Sequence, residues 1–286
     1  MLGRRSTFWL LTIPPLLWLL LFFVAPVILM GLMSVREDVG RSFFNFPNPT
    51  LDQYGIVLEE TSYLRLLGLS AFMALVVGVV ATALAFPIAY FLTFRAGERA
   101  NFYLILLLIP FWTSYLLRVM AWKLMLGSEG VVNSFLMWTG AIRSPLEFLL
   151  YNRGTVIVTL VYVWIPFAVL PIYAAMARID RPLLEAAADL GAGPWSRFWR
   201  VTLPLALPGA VAAFFMVFIP TIGEYVTPLL VGGSSGSMYG NLIQDFFTKS
   251  ADLPLGSALA LVMLAMTIAL VAVAARLINV RRFAAI

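Results

Sequence analysis

Residues 154–179 read GTVIVTLVYVWIPFAVLPIYAAMARI, with no charged side chain before Arg178. A helix needs about 20 mostly apolar residues to cross the hydrocarbon core of a bilayer, and this stretch supplies them. Five further runs have the same character: Phe8–Met33, Arg65–Phe94, Phe102–Trp122, Gly209–Val231 and Leu255–Val280. Six such runs in 286 residues predict an all-α, polytopic membrane protein with six transmembrane helices. Composition points the same way. The chain is 62% hydrophobic and 12% charged, with a mean hydropathy of +0.95, whereas soluble domains are roughly a quarter charged. That much apolar surface has no single soluble core to hide in, so lipid is the main solvent.

Several classes of function are excluded at once. The chain has no Cys and no His, which removes thiol nucleophiles, Cys/His zinc sites, disulfides and histidine acid–base chemistry. No catalytic residue and no metal ligand set is expected. The first run follows Arg4 and Arg5 but is too long for a signal-peptide core and has no small-x-small cleavage site after it, so it reads as an uncleaved span. Pro14, Pro15 and Pro26 should bend or unwind it locally.

The basic residues set the expected orientation. With the N-terminus inside, the cytoplasmic segments hold eleven: Arg4, Arg5, Arg95, Arg99, Arg178, Arg181, Arg197, Arg200, Arg276, Arg281 and Arg282. The external segments hold seven (Arg36, Arg41, Arg65, Lys123, Arg143, Arg153 and Lys249), and Arg118 falls within the third span. Both termini are therefore expected in the cytoplasm. The net charge of +5 follows from this topology and calls for no nucleic-acid partner. A first part, 1–64, carries the first span and an external segment; a second, 65–280, carries five spans and one sizeable cytoplasmic loop at 180–208. The outer segments near 34–64, 123–153 and 232–254 are long enough for interfacial helices, one of them near Leu136, Met137, Trp138 and Ile142.

The cytoplasmic loop is the most informative segment. It contains Glu185-Ala186-Ala187-Ala188-Asp189-Leu190-Gly191, nine further residues, then Val201-Thr202-Leu203-Pro204. Pro182 suits a first helical turn, and Glu185 and Asp189 stand one turn apart on a shared face. The alanines favour helix and leave it slim, and Gly191 can end it in a left-handed conformation. Pro194 then opens a second helix bearing Trp195, Phe198 and Trp199. The bland alternative is an amphipathic connector on the lipid surface. An Ala-rich face is too small to anchor in lipid, and its acids would meet anionic headgroups; a groove on a protein partner suits it better.

This segment resembles the EAA loop of binding-protein-dependent ABC transporter permeases, whose pattern is E-A-A, three residues, G, nine residues, I-x-L-P. Glu185, Ala186, Ala187, Gly191, Leu203 and Pro204 match it, with Val201 in place of Ile. The resemblance implies a type I ABC permease fold in a bacterial plasma membrane. It implies a loop in which Glu185, Ala186, Ala187, Asp189, Gly191, Leu203 and Pro204 couple to a separate ATPase. The implied partners are a second homologous permease, two cytoplasmic ATPase subunits that bind the ATP and Mg, and an extracytoplasmic substrate-binding protein. The chain itself would hold no cofactor and catalyse nothing. Its own sequence agrees: a P-loop needs G-x-x-x-x-G-K-[ST], and neither Lys123 nor Lys249 follows a glycine.

Within that family, four stretches are similar to the polyamine (spermidine/putrescine) permeases. They are Pro110-Phe111-Trp112-Thr113-Ser114 with Leu117-Arg118; Gly223-Glu224-Tyr225-Val226 with Pro228 and Gly232-Gly233; Gly240-Asn241-Leu242-Ile243; and Asp252-Leu253-Pro254 with Gly256-Ser257-Ala258. The subfamily has Trp where Leu253 stands. A polyamine is a chain of ammonium groups, stabilised by carboxylates and aromatic faces. Glu224 and Tyr225, with Trp112 and Tyr115, are the candidate pathway lining; alternatively Glu224, in the outer half of the fifth span, pairs with Arg118. A permease for another small solute and a gradient-driven secondary transporter are the other readings. Gly232-Gly233-Ser234-Ser235-Gly236 fits the G-x-S-x-G nucleophile elbow in form only and reads as a flexible external turn.

Overall fold

The computed structural model describes residues 4–36 and 49–277; Arg41, Arg281, Arg282 and the last residues of the run ending at Val280 lie outside the described residues. Every regular element among those described is a helix. Five helices are long and apolar enough to cross a bilayer, and a sixth crossing results if a pair bent by 85° is taken as one broken span. The chain divides into two compact units: Met1–Arg65 with Leu242–Ala269, and Leu66–Asn241 with Leu270–Ile286.

The first unit begins with α1 (Arg4–Leu19) and α2 (Ala25–Ser34), joined by one wider π-helical turn at Leu20–Val24. The cause is Pro26, which has no N–H to give the carbonyl four residues back. The turn widens so that Ala25 N–H bonds to Leu20 O instead, and the helix continues rather than kinking. Ser34 and Tyr54 hydroxyls meet at 2.7 Å, tying α2 to α3 (Asp52–Glu59). Before α4 (Thr61–Phe94), Glu60 accepts from the Ser62 hydroxyl at 2.6 Å, which holds its carboxyl below the usual carboxylate range. At the far end of the unit Asp252 accepts from Leu255 N–H at 3.0 Å. It thereby caps the N-terminus of α13 (Leu253–Leu277).

The second unit is built around α4, α8 (Arg153–Met176) and α11 (Leu203–Ile222). The buried stripe of α4 runs Leu67, Ser70, Ala74, Val77, Ala81, Ala85, Ala89 and Leu92, a three-and-four spacing dominated by small residues. Small side chains let helices approach closely where lipid gives no hydrophobic drive between them. The approach is tightest at two glycines of different helices. A methyl group added at Gly209 would lie 2.5 Å from both Pro171 O and Ala175 Cβ of α8, and one added at Gly78 would lie 2.8 Å from Phe214 of α11. α8 starts on a side-chain cap, Asn152 Oδ1 accepting from Thr155 N–H at 3.0 Å.

Two spans differ from the sequence reading. The third is not one straight helix. α5 (Ala100–Leu108) tightens into a 3-10 turn at Ile109–Trp112, the backbone opens at Thr113 and Ser114, and the stretch Tyr115–Trp138, which opens with α6 (Tyr115–Leu126), runs at 85° to Gly97–Trp112. Pro110 has no ladder N–H to give, and its own carbonyl accepts both the Thr113 N–H at 3.3 Å and the Thr113 hydroxyl at 2.6 Å. The fifth span lies further toward the N-terminus than Gly209–Val231. It begins in the loop at 180–208 and ends at Ile222, so Pro194–Ile222 is a single 29-residue helix. After α6, α7 (Val131–Trp138) is fastened through buried Asn133, which donates to Gly127 O and accepts from Leu146 N–H. It presents Val131, Phe135 and Trp138 outward on one stripe.

Candidate functional site

The loop at 180–208 folds as two helices with a corner. α9 (Arg181–Asp189) ends in a full Schellman motif: Ala192 N–H bonds to Ala187 O at 3.0 Å and Gly191 N–H to Ala188 O at 2.9 Å. Gly191 has φ +80 with open space around it, so only its backbone conformation demands glycine. No residue of α9 is buried. Leu184 and Ala187 turn toward the body while Glu185, Ala186, Asp189 and Leu190 stand exposed, Leu190 at 89%. The helix therefore presents two acids and an uncovered leucine to solvent.

The second helix of the loop, α10 (Pro194–Arg197), does not stop before the membrane. It passes through a π-helical turn at Phe198–Thr202 into α11, with Leu203 N–H bonded to Phe198 O. Pro204 follows that bond by one residue, as Pro26 follows its own, and the same missing N–H explains both wide turns. Leu203-Pro204 is thus the joint between loop and span. Phe198 anchors the joint to α4, its ring edge-on to Phe86 at 5.7 Å and to Tyr90 at 6.0 Å. Beside it opens an apolar groove of about 800 Å³.

A second cluster forms where the fifth span ends. Glu224 does not lie within a helix but in the break after Ile222, where it begins the next short helix. One carboxylate oxygen accepts from the N–H groups of Tyr225, Val226 and Thr227 at 3.1, 2.9 and 3.3 Å. The other accepts from the Tyr115 hydroxyl at 2.8 Å, which also meets Thr227 Oγ1 at 2.6 Å. The acid is placed by backbone donors, as a helix cap. Asn241 closes the cluster, donating to Tyr225 O at 2.8 Å. A methyl group at Gly240 would lie 2.7 Å from the carbonyls of Gly223 and Glu224.

Glu224 and Arg118 form no ion pair among the described residues. Arg118 is buried, with its guanidinium over the Phe111 ring at 4.7 Å and the Tyr115 ring at 5.9 Å. Tyr115 therefore stands between acid and base. Trp112 is 78% exposed, and Tyr225 is 43% exposed at the edge of the cluster. Thr227, Asn241 and Phe111 belong to the cluster too; the latter two sat inside quoted motif stretches, but only the fold shows what they touch. The Gly232–Gly236 turn is pinned rather than flexible, by a 2.7 Å bond from Arg153 Nε to Ser235 O.

Five apolar helices of membrane-spanning length, with a folded corner leading into one of them, define a polytopic helical membrane protein. Comparison with known proteins agrees. Residues 1–284 match the family described as binding-protein-dependent transport system inner membrane component, and the chain belongs to that family. It is a permease subunit of an ABC importer, an inner-membrane protein. Spermidine/putrescine transport system permease protein PotB of Escherichia coli K12 is 36% identical over 242 residues, covering 84% of this chain and 86% of that protein. The Haemophilus influenzae PotB is 33% identical over 244 residues, covering 85% and 84%. The inner membrane ABC transporter permease protein YdcU of E. coli K12 is 31% identical over 271 residues, covering 87% and 86%. Among solved structures, a bacterial alginate ABC transporter in complex with a pentasaccharide-bound periplasmic protein superposes with a TM-score of 0.73 at 17% identity, covering 96% of this chain and 94% of that one. That match establishes the fold alone.

Proposed function

We propose that this permease passes polyamines of the spermidine/putrescine class inward, in an importer powered by a separate ATPase. The observation that carries the reading is the likeness to spermidine/putrescine permeases over 84% of the chain. In this reading both termini face the cytoplasm, following the arginine bias. The corner at Glu185–Gly191 then docks into a cytoplasmic ATPase. Its exposed acids and Leu190 support that role, since a short helix with acidic and apolar features and no burial of its own suits a groove on a partner. A second homologous permease, two ATPase subunits holding ATP and Mg, and an extracytoplasmic binding protein complete the assembly. ATP-driven closure moves α9, and the Pro194–Ile222 helix carries that motion to the Glu224 break. There Glu224, Tyr115 and Tyr225 offer ammonium groups a carboxylate and aromatic faces.

The test is ATP hydrolysis by the reconstituted complex, with its binding protein loaded with putrescine, spermidine or unrelated small solutes. Stimulation by the polyamine-loaded protein only is the expected result. Stimulation by another solute, with polyamines inert, would keep the importer and refute the polyamine assignment.

A further inference from the structure

Arg118 is only 9% exposed, on a helix of the broken third span. Its Nε is buried with no acceptor, and no ion pair or side-chain hydrogen bond reaches its guanidinium among the described residues. The acid on the other side of Tyr115 is already committed, because Glu224 is held by three backbone N–H groups and the Tyr115 hydroxyl. A buried guanidinium without a counter-charge is costly, and ring faces offset only part of the cost. Among the described residues, Arg118 is also the one charged residue lining a cavity of about 440 Å³. Leu117, Ala121 and Met125 supply apolar walls, and Trp122 stands edge-on to Tyr162 at 5.5 Å. The volume lies within the range of small-molecule sites.

From these observations we infer that the cavity beside Arg118 is a binding site for a carboxylate carried on a small apolar body. A guanidinium fork matches the two oxygens of a carboxylate, and no second cation lines the cavity to balance a phosphate dianion. The carboxylate has two possible sources, a free solute and an acidic side chain of an adjoining subunit, and both present the same group to Arg118. The inference is independent of the polyamine reading, which concerns a ligand of opposite charge.

The test measures binding of benzoate to the full-length chain in nanodiscs and to the assembled importer, with benzylamine as the isosteric cation. Saturable benzoate binding to the lone chain is expected, with affinity about tenfold or more weaker in Arg118→Gln and partly recovered in Arg118→Lys, which keeps the charge without the fork; benzylamine should not bind. Binding to the lone chain and not to the assembly assigns the carboxylate to a neighbouring subunit's side chain. Binding to both assigns it to a solute. Absence of saturable benzoate binding to the lone chain overturns the inference, as does equal binding of benzylamine. If Arg118→Gln melts well below the parent protein, the Arg118→Lys variant and the benzylamine control decide the question between them.

Discussion

Substituting Gly209 by alanine tests whether close packing of α8 on α11 holds the core of the second unit. The added methyl would lie 2.5 Å from Pro171 O and from Ala175 Cβ, and 3.1 Å from Ile172 Cα. Carbon atoms in good contact sit about 3.5–4.0 Å apart, so the helices must part by roughly 1 Å. Nothing on the α8 side is the free end of a flexible side chain, so local rotation gives no relief. Overpacking of this kind costs about 1–3 kcal/mol. Alanine also favours helix over glycine by about 1 kcal/mol, which partly masks the cost. Gly68→Ala in α4 removes the ambiguity: Gly68 is helical, exposed and has nothing within 4 Å of an added methyl. It gains the propensity without the clash, so the difference between the two variants isolates the packing cost at about 1–3 kcal/mol. At about 2–4 °C per kcal/mol for chains of this order of size, Gly209→Ala should melt several degrees below Gly68→Ala in the same detergent and at the same scan rate. Equal melting, or the reverse order, would refute the close-packed reading of this interface.

The remaining predictions concern the corner and the Glu224 break. Glu224→Ala should destabilise by about 1–2 kcal/mol through loss of the cap, while Glu224→Gln, which keeps an oxygen for the N–H groups, should lose less; comparable melting of the two would mean the cap contributes little. Gly191→Val should abolish coupled transport while Gly191→Asn keeps part of it, because asparagine tolerates the left-handed region; equal loss would place the requirement on the surface rather than the backbone. Glu185→Lys should suppress uptake with normal membrane insertion, and unchanged uptake would count against α9 as the docking element. Gly240→Ala should push α12 (Tyr239–Thr248) away from the carbonyls of Gly223 and Glu224, lowering thermal stability as Gly209→Ala does; a neutral result would show that the break is not packed there.

What the sequence made legible depended on whether the signal was local. Long apolar runs predict spans because the bilayer imposes length and polarity on every one of them, and the helical class follows from that alone. Gly191 was readable as a helix end because its neighbours supply the whole Schellman motif. Prolines were harder. Pro204 reads as the point where the chain returns to the membrane, yet a π-helical turn absorbs its missing N–H and one helix runs through it to Ile222. Pro110 reads as one more apolar residue in a span, yet the hydroxyl of Thr113 helps the chain turn by 85°. Glu224 looked like a pathway acid or the partner of Arg118. Its cap on the next three N–H groups is local and could have been read from the Gly-Glu that follows a helical run, whereas its bond to Tyr115 joins residues 109 positions apart. No spacing rule reaches that far.

The wide turn at Phe198–Thr202 has a consequence for insertions and deletions. A π-helical turn is one residue spliced into an α-helix. Deleting a single residue within 198–202 lets the ladder close regularly, apart from the gap left by Pro204, and leaves the span itself intact. The segment upstream then keeps nearly its present phase, because the wide turn had itself absorbed the extra residue. The same deletion in the regular helix beyond Pro204 would instead turn everything upstream by about 100° around the helix axis, and the face of α9 that bears Glu185 and Asp189 would swing to another compass point. Cysteine accessibility at position 185 would tell the two deletions apart. The corner is thus buffered against one missing codon at 198–202 and unprotected against one a few residues further on.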